Sequence, residues 1–190
     1  MTELRKVFIT GASGNLADVD RSTNAINIID YAHHEVHDGS HFTFSTTSGD
    51  LDIATPLEYL IHAPNTTKWA HLLGTIYGAL HTRFELFEGA THTSGIHMPV
   101  HNNNRNSTKQ AGIIITEHAG NGADGILLFE AEFGVDTGGG ANRVTGGGTS
   151  RAEGEWVLKQ NTVYLMRLSS LTDNNVGSMT FGWYEHTNQM

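Results

Sequence analysis

The chain has 190 residues, with 11 Lys and Arg against 20 Asp and Glu, a formal net charge of −9 and no cysteine. This balance argues against a protein that neutralises nucleic-acid phosphates with clustered cations, and the absence of thiols excludes a disulfide framework, a thiolate nucleophile and Cys-based zinc or iron–sulfur sites. Charged residues make up 16%, against roughly 25% in an ordinary soluble domain. Gly and Thr, 22 of each, disfavour long helices through lost backbone entropy and lost rotamer freedom, so the composition points to an all-β chain.

In chain order, Val7-Phe8-Ile9 is too short for the roughly 7–15-residue apolar core of a signal peptide. No uninterrupted apolar run approaches the roughly 20 residues of a membrane span, so no membrane partner is expected. Val7 to Ala17, with Gly11 and Gly14, resembles the strand and glycine turn that open the nucleotide-binding domains of short-chain dehydrogenases. The context fails, because Asp18 to Asn24 offers no amphipathic helix and no Tyr is followed four positions later by Lys. No cofactor is therefore expected. Residues 1–24 read as an N-terminal arm and 25–190 as one β-domain.

Within that domain Ala25–Tyr31 reads as a strand. Asp38-Gly39 turns the chain into His41-Phe42-Thr43-Phe44-Ser45, with Phe42 and Phe44 toward one core. Strands are expected at Leu57–Ile61, Trp69–Tyr77 and His81–Glu88, the last with Phe84 and Leu86 on one face and Arg83, Glu85 and Phe87 on the other. Residues 89–112, around Asn102-Asn103-Asn104-Arg105-Asn106-Ser107, read as a long exposed loop. Further strands are expected at Gly112–Thr116, Gly125–Phe133, Trp156–Leu158, Thr162–Leu168 and Gly177–Tyr184, with glycine clusters at 138–140 and 146–148 and a turn at Asp173-Asn174-Asn175. About eight to ten short strands between turn signals imply a jelly-roll-like antiparallel β-sandwich.

Chemistry is sought first among the 12 histidines. His33-His34-Glu35-Val36-His37 departs from the His-Glu-x-x-His order of zinc proteases. As a helix it would bring His33 and His37 together; as a strand it would line up His33, Glu35 and His37, with His41 from the next strand. Either could hold a cation, and a polar face or interface is the alternative reading; no metal is expected. There is no Gly-x-Ser-x-Gly elbow, and Glu85, Glu88, Glu130 and Glu132 alternate as an exposed strand face does, so no catalytic residue is assigned. Trp69, Trp156, Trp183 and Tyr184 are either a sugar-stacking platform or core and interface.

The run Glu155–Leu168, the ending Trp183-Tyr184-Glu185-His186-Thr187, the stretch Ile29–His41 and Asn102–Ser107 together resemble a family of small structural proteins of tailed bacteriophages. The resemblance implies a non-enzymatic virion component, and among those a head decoration or cement protein. Its expected partners are the major capsid protein and two further copies of itself in a trimer. It would be made in the host bacterial cytoplasm and sit on the capsid exterior. Expected contact residues are Asn102, Asn103, Asn104, Arg105, Trp183, Tyr184 and His186. The alternative is a tail- or fibre-associated module that binds glycans through exposed aromatics.

Overall fold

The computed structural model describes residues 31–134 and 154–187. The N-terminal arm, the glycine turn at 11–14, residues 25–30 of the first expected strand and both glycine clusters lie outside these residues. The elements are α1 (Tyr31–Asp38), β1 (His41–Leu51), β2 (Leu57–Ala63), β3 (Lys68–Gly78), β4 (Thr82–Glu88), β5 (Thr93–His97), β6 (His101–Asn102), β7 (Ile114–Gly120), β8 (Ile126–Phe133), β9 (Trp156–Leu158), β10 (Thr162–Ser170) and β11 (Asn175–Thr187).

The strands form two antiparallel sheets packed as a sandwich, one ordered β6-β1-β11-β3-β9 and the other β5-β7-β2-β10-β4-β8. Eight strands pair in a nested order: β1 with β11, β2 with β10, β3 with β9 and β4 with β8. β10 and β11, although joined only by the Asn-rich turn, lie in different sheets.

Strict alternation explains the core. Along β11 the inward positions Met179, Phe181 and Trp183 are buried, and their partners across the sheet are Phe42 and Phe44 on β1 and Leu72 on β3. Tyr164, Met166 and Leu168 of β10 and Tyr59 and Ile61 of β2 supply the opposing layer. Edge-on contact of Phe44 with Tyr59 (ring centroids 5.0 Å apart) and tilted contact of Phe84 with Phe181 (5.9 Å) interlock the sheets. Phe84 and Leu86 face this core while Phe87 faces outward, as the alternation in the sequence implies.

The turn between β10 and β11 is held from inside. Asn175 is fully buried; its Oδ1 accepts from Leu80 N (2.8 Å) and Val176 N (2.8 Å), and its Nδ2 donates to Thr82 Oγ1 (2.9 Å) and Ser170 Oγ (3.0 Å). One amide thus satisfies the polar groups exposed where the chain changes sheets, which no apolar side chain could do.

Two expectations are corrected. Tyr31, expected to end a strand begun at Ala25, instead opens a helix over Tyr31–Asp38, one of the two readings open for His33–His37. It closes on Gly39 (φ 76°), with Ser40 N bonding Glu35 O (2.9 Å) and Gly39 N bonding Val36 O (3.1 Å), the paired bonds of a left-handed helix cap. Residues 89–112 are not simply an exposed loop, since β5 and β6 lie within them and β5 joins the second sheet through β7.

Replacing Asn175 by Ala leaves the Leu80 N–H and the Thr82 and Ser170 hydroxyls short of partners. The expected loss is about 2–4 kcal/mol in urea unfolding, whereas Asn174→Gly, at the exposed left-handed position (φ 56°), is expected to be neutral or slightly stabilising.

Candidate interaction surface

Among the described residues, the insertion between β4 and β8 builds a surface of two short strands, a loop and a polar cluster. Its two ends are pinched together: a Cβ on Gly125 (φ +97°) would stand 2.2 Å from the Glu88 carbonyl oxygen, so only glycine fits there. Thr91 N then bonds Ala123 O (2.9 Å), while Gly89 N and Ala90 N both bond Val163 O (2.8 and 3.0 Å). This lays the insertion over the outer face of the second sheet, where Leu60, Leu165, Phe87 and Ala90 make a second, smaller core.

Beside that core five polar side chains close a ring. Arg167 donates to both Asp124 oxygens (2.7 and 2.9 Å) and, through Nε, to Glu58. Glu58 Oε2 meets His118 Nδ1 (2.7 Å), His118 Nε2 meets His92 Nδ1 (3.0 Å), and His92 Nε2 meets Asp124 Oδ1 (2.6 Å). The Arg167 guanidinium also covers the Phe87 ring at 5.3 Å. Hydrogen bonds from Arg167 hold the Asp124 carboxyl down at about 2, and the two carboxylates push Arg167 further up against the cost of its burial.

Beyond this base the insertion walls a cavity of about 470 Å³. Its lining includes Phe42, Met98, Val100 and Ile115 together with Arg105, Lys109, His97 and His101. Lys109 Nζ is paired with Asp38 Oδ2 on α1 (2.7 Å). Arg105 reaches only the Asn102 carbonyl (3.5 Å), and among the described residues it has no carboxylate partner.

The three asparagines ahead of Arg105 are engaged within the chain. Asn102 Nδ2 donates to Gly39 O (2.8 Å) and Lys109 O (3.1 Å), Asn104 Nδ2 donates to His37 O (2.9 Å), and Asn103 Oδ1 accepts from Thr43 Oγ1 (2.7 Å). Asn102 and Asn104 also accept from backbone N–H two residues on, at 2.9 and 3.1 Å. Their amides shape the loop and dock it on α1, and the exposed side chains that the loop presents include Asn103, Arg105 and Asn106. On the return limb the Glu185 carboxylate, itself buried, accepts from Gly112 N (2.9 Å), Ile113 N (3.1 Å) and Trp183 Nε1 (2.9 Å).

The other expected contact residues are dispersed. Trp183 is wholly buried and belongs to the core. Tyr184 is 4% exposed, stacked on His71 (4.6 Å) and bonded to Glu155. His186 Nε2 lies 2.8 Å from His71 Nε2. Trp69 and Tyr184 lie on the outer face of the first sheet, whereas Trp156 and Trp183 face inward, so these four share no sugar-stacking platform.

On α1, His33 and His37 meet at 3.0 Å, while Glu35 is buried and His41 lies on β1 opposite Tyr184. A helix puts residues two apart on opposite sides, which separates Glu35 from both. Among the described residues no group of three His, Asp or Glu is placed to hold a metal ion. Glu85, Glu130 and Glu132 share the outer face of the second sheet with Arg83, and Glu88 accepts from the buried Tyr164 hydroxyl (3.0 Å).

Sequence reasoning passes over Glu58, His92, His118, Asp124, Arg167 and Glu185. A signal is present for two of them: Glu58 in Leu-Glu-Tyr-Leu-Ile and Arg167 in Leu-Met-Arg-Leu interrupt strands that are apolar on both faces, which marks an outer face covered by something else. Comparison with known protein families, curated proteins and solved structures found no match.

Glu185→Leu strands three buried N–H donors, and an expected cost of about 3 kcal/mol or more should come with lost exchange protection at the Gly112 and Ile113 amides. Glu185→Gln keeps one oxygen for Ile113 and Trp183 and is expected to cost about half as much, by the same urea titration.

Proposed function

We propose that the chain is a non-enzymatic virion structural protein, a jelly-roll module that decorates a bacteriophage capsid as a homotrimer seated on major-capsid subunits. The observation that carries the assembly part of this reading is the side of the sandwich between β8 and β9. Phe129 is 40% exposed there with its ring 6.4 Å from that of Trp156, while Leu127 and Val157, also exposed, turn to the outer faces of the second and first sheets. Beside Phe129 an apolar recess of about 90 Å³ opens, lined also by Trp156, Leu86 and Phe181. An exposed aromatic ring over an open apolar recess is a feature that protein contacts cover. A second copy of this chain is the occupant we assign.

The nested pairing of eight strands supports the jelly-roll reading, because folding one long strand pair over itself produces that order. The virion assignment rests on the resemblance of residues 155–168, 183–187, 29–41 and 102–107. Arg105 and the backbone of its loop supply the polar contact to the shell, and a net charge of −9 keeps the module off packaged nucleic acid.

Light scattering after size exclusion is expected to give a trimer that Phe129→Lys converts to a monomer with an unchanged circular dichroism spectrum. The purified protein is expected to co-sediment with expanded capsid shells at near-physiological salt and not with free capsid monomers. A monomeric wild type removes the assembly part of the reading, and absence of shell binding removes the decoration part.

A further inference from the structure

The ring on the outer face of the second sheet requires a particular number of protons. An ionised carboxylate only accepts hydrogen bonds, so His118 Nδ1, 2.7 Å from Glu58, and His92 Nε2, 2.6 Å from Asp124, must each carry a hydrogen. The 3.0 Å contact between His118 Nε2 and His92 Nδ1 needs one hydrogen more, because two bare nitrogen lone pairs would face each other without it. Two neutral imidazoles hold only two ring N–H hydrogens between them. The geometry therefore calls for a third, and one of the two rings is an imidazolium.

The surroundings say which. His92 Nδ1 also lies 3.3 Å from the Gly120 carbonyl oxygen, a second acceptor that favours a hydrogen on this nitrogen. Burial makes a charge costlier on His92, whose side chain is 7% exposed against 22% for His118, so its placement there is carried by the Gly120 acceptor. Charge balance calls for the same third hydrogen on either ring. Glu58 and Asp124 carry two negative charges and Arg167 one positive, so an imidazolium brings the ring to neutrality, the condition that partly buried charges favour. The remaining charged neighbours are Glu85 and Glu130, which continue the same cross-strand row on β4 and β8, and Arg83, whose Nε lies 3.6 Å from Glu130 and offsets part of their charge. From β5, β2 and β7 come Ser94, His62 and Thr116, with His62 hydrogen-bonded to both of the others (3.2 and 3.0 Å). Burial and, second, His97 hold His62 below the ordinary histidine range, so it adds no positive charge at neutral pH.

We infer that His92 and His118 form a proton-binding site in which one proton is shared between the two rings, with the charge on His92, and that this proton clasps the base of the insertion onto the second sheet. Loss of the shared proton leaves two lone pairs opposed; a fourth proton leaves two N–H groups opposed. Both changes break the link between His92, which leads into β5, and His118 on β7, and so loosen the segment that carries Arg105 and the cavity. The inference does not depend on the identity of the partner. On the first sheet Glu155, His71 and His186 repeat the order of carboxylate, imidazole and imidazole, at 2.6 and 2.8 Å.

Nitrogen-15 NMR of the histidine-labelled protein at pH 7 tests the assignment directly. His92 is expected to show both ring nitrogens protonated, and His118 only Nδ1. In Asp124→Asn the His92 signal is expected to revert to a neutral ring, while in His118→Gln the insertion is expected to lose its pH dependence. Hydrogen exchange of residues 91–97 and 118–124, corrected for intrinsic rates, is expected to be several-fold faster at about pH 5 and about pH 9 than at neutrality, the two sides of the histidine range. Two neutral rings at pH 7 in the wild type would overturn the inference without any variant having to fold, as would a stoichiometric zinc ion removed by chelator with release of the same segment. Equal exchange at all three pH values would overturn the clasp.

Discussion

The buried Glu185 carboxylate connects the two layers of this sandwich at the end where the insertion between β4 and β8 is built. Glu185 is an inward position of β11, in a row with Met179, Phe181 and Trp183, yet it accepts bonds from the indole of Trp183 and from the backbone of Gly112 and Ile113, which lead into β7 of the other sheet. A charge in such a place is tolerable only because every donor converges on it. The packing of this end depends on that convergence: Ile113 and Ile115 enter the core, β7 lies beside β2, and the limb before them is fixed as a wall of the cavity.

The opposite end of the insertion is fixed by a second polar device of different character. Arg167 sits in the middle of β10 on a face that an ordinary sandwich would expose to water. Because the insertion covers that face, the guanidinium finds Asp124, Glu58 and the Phe87 ring in place of solvent. The ring of charges is thus a consequence of coverage, and it is also what makes the coverage specific, since an apolar patch alone would let the insertion slide. Histidines that look scattered along the chain meet here and on the first sheet, where His71, Tyr184 and His186 stack.

The strands were legible wherever one face meets the core and the other meets water. Phe42 and Phe44, Phe84 and Leu86, and the long alternation of the last strand announce themselves, because a period of two needs no knowledge of the partner. Three things were not legible for physical reasons. The helix at Tyr31–Asp38 has no apolar stripe, being polar on most of its surface, and is held by its Gly39 cap and by the asparagine loop docked against it. The asparagines of that loop look like an exposed binding surface in sequence, but an amide bonds a backbone from its own chain as readily as a partner's, and only the position of α1 decides which. Trp183 and Tyr184 are adjacent and alike in composition, yet one is core and the other is an outward residue buried by its neighbours.

Alone, the sequence determined that the chain is a β-sandwich of short alternating strands with no cysteine chemistry and a net negative charge, because alternation, turn residues and composition are local properties. Tertiary structure decided which strands pair, since nested partners such as β1 and β11 are separated by most of the chain and no local signal encodes the match. It also decided which polar residues work together. Glu58 and Arg167 stand 109 positions apart in the chain, with His92, His118 and Asp124 between them, and their pairing arises only when the fold brings them within hydrogen-bond reach.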